Sequence, residues 1–362
     1  MDFYKDYTNT IKAALSQSNL QKGLSGTRMF SEGTQHMSSS HIKLSHSSML
    51  EPEAGLLELG KTMGLGKTSA ATFGEHPDFK HLKGTDNTEQ HYITSVFIDI
   101  KGSTNLHRKY DLPTIYTITN TIQRAAIHTC ALFHGHIQRL QGDGLFVYFG
   151  GKSIGKDESV QQAVNAASFF TYFVKNDLKQ LFEEEGVEDI STRIGIDFGD
   201  HEQVMWANFG LGDCCELTTN SLHTSLASKM QAYASANGVV IGDHVKQRLK
   251  LSDEKLFDYV RDSKGEVSKR YIFEDQDKAF RYTQYTFDWY KYLKSMNFLV
   301  EEGNGKLRIL SPEERADQQR IKGLMQKAAL LSSGSAFTDR YGNISANSTG
   351  IQNQPHRFHY DE

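Results

Sequence analysis

Two aspartates sit where a β-sheet would present them together. Asp99 falls near the end of the apolar run Val96-Phe97-Ile98-Asp99-Ile100, and Lys101, Gly102, Ser103 and Thr104 follow at once. Asp143 stands between Gly142 and Gly144 in QGDGL. Taken singly, Asp99 suits the cap of a following helix and Asp143 suits a turn. Taken together they suit a cation. Paired carboxylates with no basic neighbour hold hard ions such as Mg²⁺ through oxygen, and the ion offsets their mutual repulsion. The segment after Asp99 adds a second component. Main-chain N–H groups at a helix start attract phosphate, Gly102 permits close approach, and Ser103 and Thr104 bring hydroxyl donors. A strand-end carboxylate beside such a loop matches a metal–polyphosphate site, because Mg²⁺ commonly joins one or two carboxylates to substrate phosphates.

Bringing the two aspartates together requires neighbouring strands. HYITSVFID reads as a strand. Residues 104–133 read as one long helix, with Ile115, Ile118, Ile122, Ala125, Ala126 and Cys130 near helical spacing. GHIQRLQGDGLFVYFG reads as two strands joined by a tight Gly-Asp-Gly turn. Residues 156–182 carry a helical period. TRIGIDFGD and QVMWANFG read as a second hairpin, followed by a helix near 222–236 and a strand at GVVIGD. Later strands are expected near 256–261 and 270–274, and a Trp/Tyr-rich helix near 284–297. The order predicts an α+β fold, a sheet with helices packed on one face.

The flanks differ in composition. Residues 1–75 are rich in Ser, His and Gly and read as a flexible extension, with short helical pieces near 10–17 and 53–60. Residues 76–275 hold the elements above. Residues 276–330 read as a helical C-terminal extension and 331–362 as a flexible tail. MGLGKTSAA resembles a phosphate-binding P-loop, but Lys61 stands five residues before Gly66 where that pattern needs Gly. A Gly-rich linker accounts for it. His36, His41 and His46 recur at a five-residue spacing that fits neither a helix face nor a strand face.

Composition narrows the function classes. The net charge is −4 over 362 residues, which gives no pull toward nucleic acid or anionic membrane. Three cysteines, Cys130, Cys214 and Cys215, are too few for a disulfide framework and fit a reducing compartment. No run approaches the ~20 apolar residues of a membrane span, and the N-terminus has no signal-peptide core. The expectation is a cytoplasmic protein with no membrane span and no nucleic-acid partner.

At this point the residues resemble the class III nucleotide cyclases. Phe97, Asp99, Ile100, Gly102, Ser103 and Thr104 match that family's Phe-x-Asp-Ile-x-Gly-[Phe/Ser]-Thr motif, and Gly142-Asp143 matches its Gly-Asp hairpin. RIGIDFG and VMWANFG match a later strand and its partner. The resemblance covers roughly residues 90–275 and makes 76–275 a cyclase catalytic domain with a central, mostly antiparallel sheet. It implies two divalent metals per site, Mg²⁺ or Mn²⁺, held by Asp99, Asp143 and the Ile100 carbonyl. It also implies a homodimer with sites shared across the interface. The chemistry implied is that of a phosphorus–oxygen lyase: the ribose 3′-hydroxyl of a nucleoside triphosphate attacks the α-phosphorus, and pyrophosphate leaves.

Departures from the family pattern point to the base. Purine cyclases place a base-reading Lys or Glu four residues before the second metal aspartate, where this chain has Arg139. Their second base-reading position, usually Asp or Cys, aligns with Thr218. Their transition-state Asn and Arg align with Ser225 and Lys229. This set is similar to the pyrimidine cyclases of the Pycsar anti-phage system, which share HPDF-x-x-LKG, FIDIKGST, HIxRLQGD and the Glu216-x-Thr218-x-x-Ser221 segment. That resemblance implies synthesis of cyclic CMP or cyclic UMP as an antiviral defence messenger, read by a separate effector protein. Arg139 offers donors only, which suits the adjacent acceptors N3 and O2 of cytosine. Thr218 suits the cytosine amino group, so CTP is favoured over UTP. A uridylate cyclase, an adenylate cyclase and a cyclase-fold module that senses a nucleotide without turnover are the other readings.

Overall fold

The computed structural model describes residues 3–25, 52–66, 73–187, 189–262, 264–267, 273–275, 280–303, 305–332, 336–338 and 344–346. The His36, His41 and His46 series, Lys67 and Thr68 of the P-loop-like segment, and most of the 331–362 tail lie outside the described residues.

The chain opens with α1 (Lys5–Ser25) and α2 (Ala54–Thr62). A 3₁₀ turn at Pro77–Leu82 leads to β1 (Thr88–Gln90) and β2 (Ile93–Lys101). A second 3₁₀ turn, Ser103–Arg108, precedes α3 (Leu112–Leu132), β3 (His136–Gln141) and β4 (Gly144–Phe149). Then come α4 (Lys156–Tyr172), a π-helical turn at Phe173–Leu178 and α5 (Lys179–Glu185). The chain continues through β5 (Ser191–Gly199), β6 (Met205–Leu211), β7 (Cys214–Asn220), α6 (Leu222–Tyr233), β8 (Gly238–Gly242) and α7 (Asp243–Leu249). It goes on with β9 (Phe257–Tyr259), β10 (Phe273–Asp275), β11 (Phe280–Tyr282), β12 (Gln284–Phe287), α8 (Trp289–Lys294), β13 (Leu299–Glu301) and β14 (Leu307–Ile309). A separate unit, Ile309–Glu362, contains α9 (Pro312–Ser332) and the paired strands β15 (Ala336–Thr338) and β16 (Ile344–Ala346). Among the described residues, no helix is long and apolar enough to cross a membrane.

The expected α+β core is present. Seven strands form one sheet in the order β3-β4-β2-β5-β8-β12-β9, antiparallel except for the β5–β8 pair. Its helices cover both faces rather than one. Neighbouring residues on a strand point to opposite sides. Thr94 hydrogen-bonds Ser159 of α4 at 2.9 Å, and Ser95 hydrogen-bonds Thr224 of α6 at 2.9 Å. The reason is legible in β2: Ile93 to Ile98 are all buried, as in a strand covered on both sides.

Four further expectations change. The helix expected over 104–133 starts at Leu112, because Asp111 accepts a hydrogen bond from Thr114 N at 3.1 Å and Pro113 occupies the first turn. β5 and β6 are not a hairpin. Asp200 and Gln203 form a capping box that redirects the chain, and β6 pairs instead with β1 and β7 in a three-stranded sheet. Trp206 anchors that sheet, stacked on Phe79 at 4.1 Å between centroids. Gln284–Phe287, expected as helix, is β12, which inserts between β8 and β9. The first residues are not a loose extension. α1 buries Tyr7, Ile11 and Leu15, and just before it Tyr4 stacks on Phe173 at 4.4 Å. Tyr7 OH pairs with His128 Nδ1 of α3 at 2.7 Å.

The lead-in to the sheet carries a pH dependence. His76 is 4% exposed and packs among Phe79, His136 and Trp206. Burial, reinforced by His136, pushes its imidazole down from 6.5 to about 4. The unfolded chain takes up this proton near pH 6.5 while the folded chain stays neutral to about pH 4. Stability is therefore complete above that window and is lost as pH falls through it. At about pH 5 this one group should cost about 2 kcal/mol. Urea unfolding near neutrality and at about pH 5 checks this. His76→Gln should show a shallower acid loss than the wild type, and equal losses would discount His76.

Candidate active site

The β2–β4 register brings the two aspartates into one neighbourhood. Ile98 on β2 stands opposite Leu145 on β4. A Cβ added to Gly144 would fall 2.4 Å from Ile98 O and 3.4 Å from Asp99 Cα. Only glycine lets the turn carrying Asp143 come this close to Asp99. The same contact orients a third oxygen. Ile98 O faces β4, and carbonyls two residues apart on a strand point to the same edge, so Ile100 O faces this edge just past the start of β4.

Each carboxylate has a partner. Arg193, opposite Asp99 on β5, donates to Asp99 Oδ2 from Nε at 3.0 Å and also from Nη2. Ser103 Oγ donates to Asp143 Oδ2. Among the described residues, the Oδ1 atoms of both aspartates carry no hydrogen bond or ion pair. Two carboxylates and a main-chain carbonyl are hard oxygen donors and fit Mg²⁺ or Mn²⁺. No group of three or more His, Cys, Asp or Glu suited to a metal occurs among the described residues, so other oxygens would complete the coordination. The sequence reading assumed no basic neighbour. Arg193 corrects that, and its position 94 residues away hides it until the strands pair.

The small residues after Asp99 form a short 3₁₀ turn rather than the start of a long helix. Gly102 has φ +99°, and a Cβ there would lie 2.6 Å from Asp189 O. Asn105 N closes the turn onto Gly102 O at 3.0 Å, leaving the N–H groups of Ser103 and Thr104 ahead of it. Ser103 spends its hydroxyl on Asp143, while Thr104 is exposed. An open cavity of about 290 Å³ adjoins this turn, lined by Ser103, Thr104, Gly142 and Asp143 together with Tyr116 and Asn120 of α3.

Arg139 and Thr218 come together through β7. Arg139 Nε donates to Glu216 Oε1 at 3.1 Å, and Nη2 pairs with Oε2. The buried Gln138 amide donates to the same Oε1 at 3.0 Å and to Leu217 O at 2.9 Å. Two residues along β7, Thr218 Oγ1 pairs with Tyr148 OH at 3.0 Å. A row of hydroxyls continues inward from there. Tyr148 OH pairs with Thr219 Oγ1, Thr219 with Thr224 and Thr224 with Ser95, each at 2.9 Å. Sequence reasoning assigned no role to Glu216. Its signal was the two-residue spacing from Thr218, which puts both side chains on one strand face.

Ser225 and Lys229 are exposed, one turn apart on α6. Ser225 Oγ donates to Ser221 O, within its own helix, at 3.2 Å. The helix lies on the face that carries Asp99. Ser95, Phe97 and Asp99 share that face, and Gly195, opposite Phe97, abuts the Ala227 carbonyl.

No protein-family model matches the chain. Over 250 residues it is 38% identical to a cytidylate cyclase from Staphylococcus aureus, an alignment covering 69% of this chain and 58% of that protein. Over that aligned stretch the chain is similar to a cytidylate cyclase. A cytidylate cyclase from Escherichia coli is 28% identical over 286 residues, covering 74% of this chain and 60% of that protein. The chain therefore spans only about three-fifths of the length of these two cyclase relatives. A solved adenylyl cyclase, CyaB from P. aeruginosa, aligns with a TM-score of 0.44 and 20% identity over 56% of this chain and 95% of that one.

The Gly144 contact is testable without any ligand. Gly144→Ala puts a methyl into the Ile98 carbonyl and should lower stability by about 1–3 kcal/mol as the turn moves off β2. Chemical unfolding reads it, and a midpoint equal to wild type would show that the approach is slack.

Proposed function

We propose that this chain is a pyrimidine nucleotide cyclase that converts CTP to 3′,5′-cyclic CMP and pyrophosphate. The observation that carries the reading is the close approach of the Gly144 main chain to Asp99, with Asp143 next to it accepting from Ser103 of the Gly102–Thr104 turn. The kinship with cytidylate cyclases supports the substrate. Two divalent cations, Mg²⁺ or Mn²⁺, held by Asp99, Asp143 and Ile100 O, would supply Lewis-acid activation of the attacking hydroxyl and charge neutralisation on the triphosphate.

The chain's own residues supply position and charge. The amides of Ser103 and Thr104 hold phosphate oxygens. Arg139 and Thr218 orient the base. Lys229, with Ser225 beside it, faces the negative charge that builds at the α-phosphate as the 3′-oxygen bonds to phosphorus and the pyrophosphate oxygen departs. Most of the rate gain comes from holding these groups in line. The assembly is a homodimer with sites shared across the interface, and the exposed Leu211 and Phe209 of the β6–β7 hairpin offer apolar contact area for it. The product serves as a messenger in anti-phage defence, read by a separate effector. The Ser225 contact to its own helix favours a second reading, a module that binds a nucleotide without turning it over.

Incubating the purified protein with Mn²⁺ and each of the four nucleoside triphosphates separates the two readings, because a sensor yields no cyclic product. Asp99→Asn and Asp143→Asn should each lower turnover by on the order of 10³ while the thermal midpoint stays near wild type. Near-normal turnover by either variant would end the two-metal assignment.

A further inference from the structure

We infer that Glu216 is the residue that tells cytosine from uracil, working as one unit with Arg139; this rests on the pyrimidine cyclase reading. A guanidinium has five N–H donors arranged in more than one fork. In Arg139 the side-on fork, Nε and Nη2, is spent on Glu216. Among the described residues, Nη1 has no partner. The end-on fork of Nη1 and the outer N–H of Nη2 therefore remains available. Glu216 is itself held in place, because Oε1 takes both the Arg139 Nε–H and the amide of the buried Gln138. Its Oε2 lies beside Nη2 with lone pairs to spare. Both side chains are partly exposed, at 44% and 32%.

The edge they present reads donor, donor, acceptor. The pairing edge of cytosine reads acceptor at O2, acceptor at N3 and donor at the N4 amino group. The two edges are complementary, and a carboxylate is a favoured acceptor for cytosine N4. Uracil fails twice. Its N3–H meets an Arg139 N–H, and its O4 meets the Glu216 carboxylate, so rejection arises from like groups opposed as well as from lost bonds. Thr218 cannot make this distinction. A hydroxyl is both donor and acceptor and adapts to either base. Its partner Tyr148 OH is equally ambivalent. Thr218 is therefore a positioning residue and Glu216 sets specificity.

The test compares wild type, Glu216→Gln and Thr218→Val with CTP and UTP as substrates, reading kcat/KM, alongside equilibrium binding of the same two nucleotides. Gln keeps the shape and the Arg139 contact but replaces one acceptor oxygen with a donor. The expected result is a wild-type preference for CTP. In Glu216→Gln the CTP-to-UTP ratio should fall by about 5- to 150-fold, partly through improved use of UTP. In Thr218→Val both substrates should weaken together. Equal losses for CTP and UTP in Glu216→Gln would reduce Glu216 to a prop for Arg139 and overturn the inference. A wild type that prefers UTP would overturn it too. If wild type forms no cyclic product, the cyclase reading fails, and the binding ratios still decide the role of Glu216.

Discussion

The candidate site depends on one close approach, the main chain of Gly144 lying against Ile98 and Asp99. This contact fixes the register of β4 on β2, and with it the height at which the Asp143 turn stands beside Asp99. Any side chain at 144 would hold the two strands apart at their ends. The Ile100 carbonyl gains its outlook from the same geometry, since β4 begins just short of it. Two carboxylates far apart in sequence thus meet through a hydrogen-bond ladder, and the repulsion between them is limited by Arg193 on one side and Ser103 on the other.

Burial on both faces gives this ladder its stiffness. β2 and β5 run through the middle of the seven-stranded sheet, with α4 on one side and α6 on the other. Gly195 is the counterpart of Gly144 on the α6 face: a Cβ there would fall 2.1 Å from Ala227 O. The helix that carries Ser225 and Lys229 can therefore seat on the same sheet that carries Asp99. Close packing at two glycines, one per neighbouring strand, couples the pieces that the proposed chemistry needs.

Much of this was legible from residue order. Asp99, Gly142 and Asp143 announced a strand end and a turn, and the periodicity of 112–132 announced the helix between them. The start of that helix was legible as well, in Asp111 and Pro113, but the apolar period drew the boundary too early. Other features were not legible for a physical reason. Arg193 and Glu216 matter only through cross-strand partners far away in sequence, and no local pattern encodes such pairing. The separation of β5 from β6 turns on a capping box at Asp200–Gln203, which is easily read as an ordinary hairpin loop. Tyr4 and Tyr7 lie in polar sequence, and their burial depends on the distant Phe173 and His128.

The hydroxyl row from Thr218 through Tyr148, Thr219 and Thr224 to Ser95 has a property that heavy-atom positions do not display. Each member can give or receive a proton, so the row admits two polarities, all hydroxyls pointing one way or all the other. Neighbouring hydrogen bonds in such a row polarise one another, which favours a common direction. Whatever group meets Thr218 selects that direction. In the proposed site, a base that accepts a proton there and a base that donates one would leave opposite dipole orientations at Ser95 near the start of β2, with no atom heavier than hydrogen having moved.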